Sequence, residues 1–147
     1  MEVEFIDKVE KGFVGVVLFE GQEENTCKKY GVDGFKAKNG ACQIVKLDNS
    51  EKIIFSSLGK KENYSREVLK KAACRIADVA STYKASELTI DATLAGDALP
   101  VIEGVTLGQY SFLKYKEQEQ KEKTEVKKLK MIASGNRKQL QAQASDV

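Results

Sequence analysis

Apolar and polar positions change period several times along the chain, and each change marks an element. Glu2-Val3-Glu4-Phe5 alternates charged with apolar residues, the period of a strand that turns one face to a core. Phe13-Val14-Gly15-Val16-Val17-Leu18-Phe19 is instead unbroken, rich in β-branched and aromatic residues, and bounded by Gly12 and Gly21. It is too short for a helix and predicts a strand buried on both faces. Residues 21–41 are polar and punctuated by Gly31, Gly34 and Gly40, which predicts loop, with a helical turn around residues 25–30. Strands are expected over residues 42–47 and 53–58. Asp48-Asn49-Ser50 supplies turn chemistry between them, so the pair reads as a hairpin.

The pattern then lengthens to a helical one. Leu69, Ala72, Ala73, Ile76, Ala80 and Tyr83 recur at three- and four-residue spacing, with Arg66, Lys70, Lys71, Arg75 and Asp78 off the stripe. Ser65 is placed to cap the first turn, and Glu67 lies where the helix dipole favours negative charge. Glu87-Leu88-Thr89-Ile90-Asp91-Ala92 follows as a strand, so strand, helix and strand make a βαβ unit with parallel strands. A second helix is expected over residues 98–110, with Pro100 in its first turn. Gly104 and Gly108 share one face of it, and a close approach to the sheet or to another helix explains their cost of about 1 kcal/mol each. Residues 114–125 are dominated by Lys, Glu and Gln and read as a solvated loop or edge. Residues 126–132 offer a last strand, and the chain beyond Ser134 has no core pattern.

Composition sharpens the picture mainly by exclusion. The 147 residues are 41% hydrophobic and 31% charged, a globular balance at the usual size of one domain. Histidine is absent, which removes His-based general catalysis, His-ligated zinc and Ser-His-Asp triads. Cys27, Cys42 and Cys74 form no Cys-x-x-Cys pair and are odd in number, so they read as packed thiols in a reducing compartment. The formal net charge of +2, from 24 basic and 22 acidic residues, demands neither a nucleic-acid nor a membrane partner. The acidic amino terminus is unlike a signal peptide, and no stretch approaches the ~20 apolar residues of a membrane span, so a cytoplasmic protein is expected.

Four features could carry chemistry, and each has a plainer reading. Gly59-Lys60-Lys61 sits between strand and helix, where phosphate loops occur, but the second glycine and the Lys-Ser/Thr of a phosphate loop are missing. Asp7, Asp91 and Asp97 could gather as carboxylates, Asp91 at the carboxyl end of a strand where α/β sites form, yet strand-end and turn aspartates are the simpler account. Lysines of residues 114–130, with Tyr110, Phe112 and Tyr115 beside them, could meet single-stranded nucleic acid, but interleaved glutamates cancel much of that field. Cys74 lies next to the apolar stripe and reads as core rather than as a reactive thiol.

Taken in order, several segments resemble a known family. These are Leu58-Gly59-Lys60-Lys61-Glu62, the helix carrying Leu69-x-x-Ala72-Ala73, Leu88-Thr89-Ile90-Asp91, and Glu103-Gly104-Val105-Thr106-Leu107-Gly108-Gln109-Tyr110-Ser111-Phe112-x-x-Tyr115-Lys116. Together they resemble the amino-terminal domain of the leucyl aminopeptidases, the cytosol aminopeptidase family, closely over residues 50–132 and by pattern over residues 1–49. The resemblance implies an α/β fold, macro-domain-like, with three α/β/α layers and a mixed, mostly parallel sheet. It implies an N-terminal domain over residues 1–133 and the start of an interdomain linker over 134–147. The family's metal ligands and catalytic residues lie in a separate carboxy-terminal domain with motifs resembling Asn-Thr-Asp-Ala-Glu-Gly-Arg. No such string occurs here, so no catalytic, cofactor or metal residue is carried over, and the catalytic domain is expected to be absent. The parent is implied to be a hexameric aminopeptidase using two divalent metals, zinc or manganese. The implied partners are the catalytic domain and neighbouring subunits. A stand-alone ADP-ribose-type ligand module and a DNA-contacting accessory domain are the competing readings.

Overall fold

The computed structural model describes residues 2–6, 12–32, 35, 42–47, 51–94, 98–115 and 126–132. Its strands are β1 (Glu2–Phe5), β2 (Gly12–Leu18), β3 (Cys42–Leu47), β4 (Glu51–Ser57), β5 (Glu87–Asp91) and β6 (Lys128–Ile132). Its α-helices are α1 (Glu23–Tyr30), α2 (Arg66–Thr82) and α3 (Leu99–Tyr115). The six strands form one sheet in the order β1-β6-β5-β2-β4-β3, parallel throughout except for the antiparallel β3–β4 hairpin. This is the expected mixed, mostly parallel α/β fold. The Asp48-Asn49-Ser50 turn, Asp7, Asp97 and the segment 134–147 lie outside the described residues.

Alternation along the strands decides which face each residue serves. Phe13 and Val17 of β2 join Leu88 and Ile90 of β5, Leu129 and Met131 of β6, and the apolar stripes of α2 and α3 in the larger core. Val14, Val16 and Leu18 point the other way and join Ile53, Phe55, Cys27 of α1, Val32 and Phe35 in a smaller one. The unbroken apolar run of β2 is therefore buried on both faces, as its sequence predicts. The strands β5, β6 and β1 turn their apolar residues to the α2/α3 face, and on the other face the buried Thr89 and Asp91 of β5 are the residues nearest β2 and α1. Register places Glu87, Lys128 and Glu2 in one row on the opposite face, and Thr89, Lys130 and Glu4 in the next. Lys128 reaches Glu4 at 3.0 Å on that face.

Helix α2 begins where expected, with the Ser65 hydroxyl accepting from the Val68 amide at 3.3 Å. It crosses from β4 to β5 with strands running the same way, but β2 lies between the two, so the βαβ unit spans a skipped position. Helix α3 makes the tighter crossover, since β5 and β6 are direct neighbours. It packs along α2 so closely that a Cβ on Gly104 would lie 2.2 Å from the Lys70 carbonyl oxygen and 2.9 Å from the Ala73 Cβ. The partner that the paired glycines anticipate is thus a helix.

Two expectations need correction. Residues 21–41 contain a two-turn helix rather than a single turn, because Glu23 and Glu24 fill its first turn, Lys28 and Lys29 its last, and Gly31 closes it at φ 66°. Helix α3 runs on to Tyr115 instead of ending near Tyr110, since neither proline nor glycine interrupts residues 109–115. Lys114 therefore belongs to a helix and not to a loop; residues 116–125 lie outside the described residues.

Candidate functional site

The chain leaves β2 through α1 toward β3 and β4 on one side, and later places β5 against the opposite side of β2. The carboxyl ends of β2 and β5 therefore flank the point where the sheet's connections diverge, the usual location of ligand crevices in open α/β sheets. Asp91, the last residue of β5, sits there beside Val16, its register partner on β2. It faces the α1 side and is 3% exposed.

Helix α1 brings its last turn over this carboxylate. The Lys29 ammonium donates to Asp91 Oδ2 at 2.9 Å, and the Tyr30 hydroxyl donates to the same oxygen. The Thr93 amide donates to Oδ1 at 3.0 Å. A buried carboxylate is tolerated only when paired and hydrogen-bonded, and this one is both. Burial pushes the Asp91 carboxyl up, but hydrogen bonds from Thr93, Tyr30 and Lys29 outweigh it and hold the group below the ordinary carboxylate range. The Tyr30 phenol is raised by its own burial first, and then by its hydrogen bond to Asp91 and the charge there. The ring of Tyr30 is held edge-on to Phe55 at 6.0 Å, which fixes the hydroxyl's aim. A cavity of about 130 Å³ opens beside the cluster, walled by Val16, Tyr30, Asp91 and Leu94.

Among the candidates raised from sequence, Asp91 alone is shown in a built environment; Asp7 and Asp97 lie outside the described residues, so no carboxylate cluster is seen. Gly59 (φ 75°) is a turn glycine whose amide donates to the Ser57 hydroxyl at 3.0 Å, and Lys60 and Lys61 point outward. Cys27, Cys42 and Cys74 are all free thiols. Cys74 is half-buried, not core, because it lies at the α2–α3 edge near Gly108. Its thiol is raised by burial and by the charge of Asp78, against the weaker pull of Arg75, so it is not activated. Tyr110, Phe112 and Tyr115 occupy the last turns of α3. Lys29 and Tyr30 carry little signal in the sequence beyond a Lys-Tyr pair ahead of a helix-ending glycine.

Residues 28–119 match the family model described as the cytosol aminopeptidase family, N-terminal domain. A probable cytosol aminopeptidase of Desulfotalea psychrophila is 38% identical over 95 residues, which cover 58% of this chain and 19% of that protein. Among solved structures, a mutant tomato leucine aminopeptidase superposes on 99% of this chain with a TM-score of 0.72 and 13% identity, using 35% of its own length. The bottromycin maturation enzyme BotP in complex with Mn superposes on 90% of this chain, with a TM-score of 0.59 and 18% identity over 29% of its length. These superpositions speak for the fold. The chain spans about a third or less of the proteins it matches.

Proposed function

The chain belongs to the cytosol aminopeptidase family, as its N-terminal domain, and from that premise we propose that it is the non-catalytic part of a leucyl-aminopeptidase-like metallopeptidase. In this reading the domain spans residues 1–133, with residues 134–147 starting the linker to a catalytic domain. It packs against that domain and against neighbouring subunits, and so helps to hold a cytoplasmic hexamer that removes N-terminal amino acids from peptides. The observation that carries the reading is the family match over residues 28–119, and a fold that superposes on a leucine aminopeptidase supports it.

In this reading the metals of the parent enzyme belong to the catalytic domain. Two metals about 3.5–4 Å apart need convergent carboxylates. Among the described residues, no group of three or more His, Cys, Asp or Glu side chains could hold an ion. Asp91, the buried carboxylate at the sheet's carboxyl edge, already serves Lys29, Tyr30 and Thr93. These residues do not fit the two divalent metals of the parent enzyme, and no metal-dependent step is assigned to them. The cavity beside Asp91, about 130 Å³, is too small for an ADP-ribose-sized ligand. No helix among the described residues is long and apolar enough to cross a membrane.

The test is assembly. The purified chain, mixed with the metal-binding domain of a family member, is expected to co-elute with it and raise its mass in light scattering. Alone, with Mn²⁺ or Zn²⁺, the chain is expected to leave leucine p-nitroanilide untouched. Metal-dependent turnover by the chain alone, or failure to associate at any concentration reached, would overturn the proposal.

A further inference from the structure

We propose that the cavity between α1 and the carboxyl ends of β2 and β5 binds a free α-amino acid with a small apolar side chain. The proposal rests on the exopeptidase reading for its biological sense, since such an amino acid is what an aminopeptidase releases, but the chemistry stands on the site itself.

Size comes first. A cavity of about 150 Å³ accepts the six non-hydrogen atoms of benzene, so the 130 Å³ here encloses roughly five or six, the head of an amino acid, and a longer side chain reaches out past Leu94. The walls divide by character. Val16, the ring of Tyr30 and Leu94 offer an apolar surface, and Leu94 is 41% exposed at the mouth. The same lining holds an ion pair of unequal depth: the Asp91 side chain is 4% exposed, whereas that of Lys29 is 56% exposed.

That inequality selects the ligand. The site is electrically neutral, with a fixed buried anion and a cation on a flexible, solvent-reaching stem. A simple carboxylate would bring a second negative charge beside Asp91. A simple amine would displace Lys29 and leave its ammonium without an anion. A zwitterion satisfies both, because its ammonium takes the place of Lys29 on Asp91 Oδ2 while its carboxylate meets the displaced Lys29 ammonium. Tyr30 and Thr93 keep their hydrogen bonds to Asp91 throughout, so the buried carboxylate is never left bare. The side chain of the amino acid then lies against Val16 and Leu94. Asn25, at the rim, can add a hydrogen bond to the ligand carboxylate.

Leucine is titrated into the isotopically labelled full chain, with amide shifts followed by NMR. Saturable shifts are expected at Thr26, Lys29, Thr93 and Leu94. 4-Methylpentanoate, which lacks the ammonium, and isoamylamine, which lacks the carboxylate, are each expected to bind at least about tenfold more weakly, the loss of one charge-assisted hydrogen-bonded contact. Lys29→Met and the exposed Leu94→Gln are each expected to weaken leucine binding about tenfold, with the circular dichroism of both variants unchanged; Leu94→Gln keeps the test usable if the other unfolds. The assignment is overturned if leucine gives no saturable shift up to its solubility limit, if the shifts map elsewhere, if 4-methylpentanoate binds as tightly as leucine, or if Leu94→Gln folds and binds unchanged. Association with a catalytic domain in the absence of leucine binding would sink this assignment alone. Leucine binding in the absence of association would sink the assembly reading alone.

Discussion

Asp91 ties together residues some sixty positions apart, and its environment sets what it contributes. Replacing it with alanine leaves the Tyr30 hydroxyl without its acceptor and removes the partner of a half-exposed lysine. Discounted for solvent at Lys29, Asp91→Ala should cost about 2–4 kcal/mol in urea unfolding at neutral pH. Because the folded-state pKa of Asp91 is depressed, its contribution is present above the ordinary aspartate value of about 3.9 and is lost as pH falls through the folded value. The stability gap between wild type and Asp91→Asn should therefore be full at pH 6 and close below about pH 4. Tyr30 runs with the opposite sign. Its raised pKa means stability that is intact below about pH 10 and declines above it, and Tyr30→Phe should flatten that alkaline decline while costing about 1 kcal/mol at pH 7. From sequence, Asp91 was legible as an acid at a strand's carboxyl end. Lys29 and Tyr30 were not, because nothing local says that a polar helix will lay its last turn over a strand sixty residues on.

At the scale of elements, the contact between α2 and α3 offers the sharpest discrimination. Gly104→Ala would place a methyl group 2.2 Å from the Lys70 backbone oxygen, which cannot yield without parting the helices. The helix-propensity gain of about 1 kcal/mol is smaller than the overpacking penalty, so a net loss of about 1–2 kcal/mol is expected in thermal unfolding. Gly108→Ala meets the Ala77 Cβ at 3.3 Å, a contact that a slight shift relieves, and should change stability by less than about 1 kcal/mol. The four-residue spacing of these glycines made the close approach readable in advance, though not which element would supply it. Helix α1 shows the opposite case. Only Thr26 and Cys27 of its eight residues are buried, so no apolar stripe distinguishes it from loop, and its terminal charges and Gly31 carry most of the local signal.

The whole molecule is organised around β2, whose continuous apolar run, readable in the sequence, matches burial between two helical layers. Alternating charges in β1 likewise foretold a strand that turns Val3 and Phe5 to the core. The order of strands was beyond reach, since it depends on crossovers whose landing points no local pattern encodes. Amide hydrogen exchange should follow that order, slowest in the central β2, β4 and β5 and fastest in the outer β1 and β3. The first strand of the chain pairs with β6, the last strand of the sheet, and β6 is also what joins it to β5. A ribosome must deliver residues 128–132 before residues 2–5 gain this partner, so this edge of the sheet closes only after the rest of its strands have been made. A nascent chain stalled before Lys128 holds Val3 and Phe5 with no strand to receive them, and is the species in which a chaperone has most to cover.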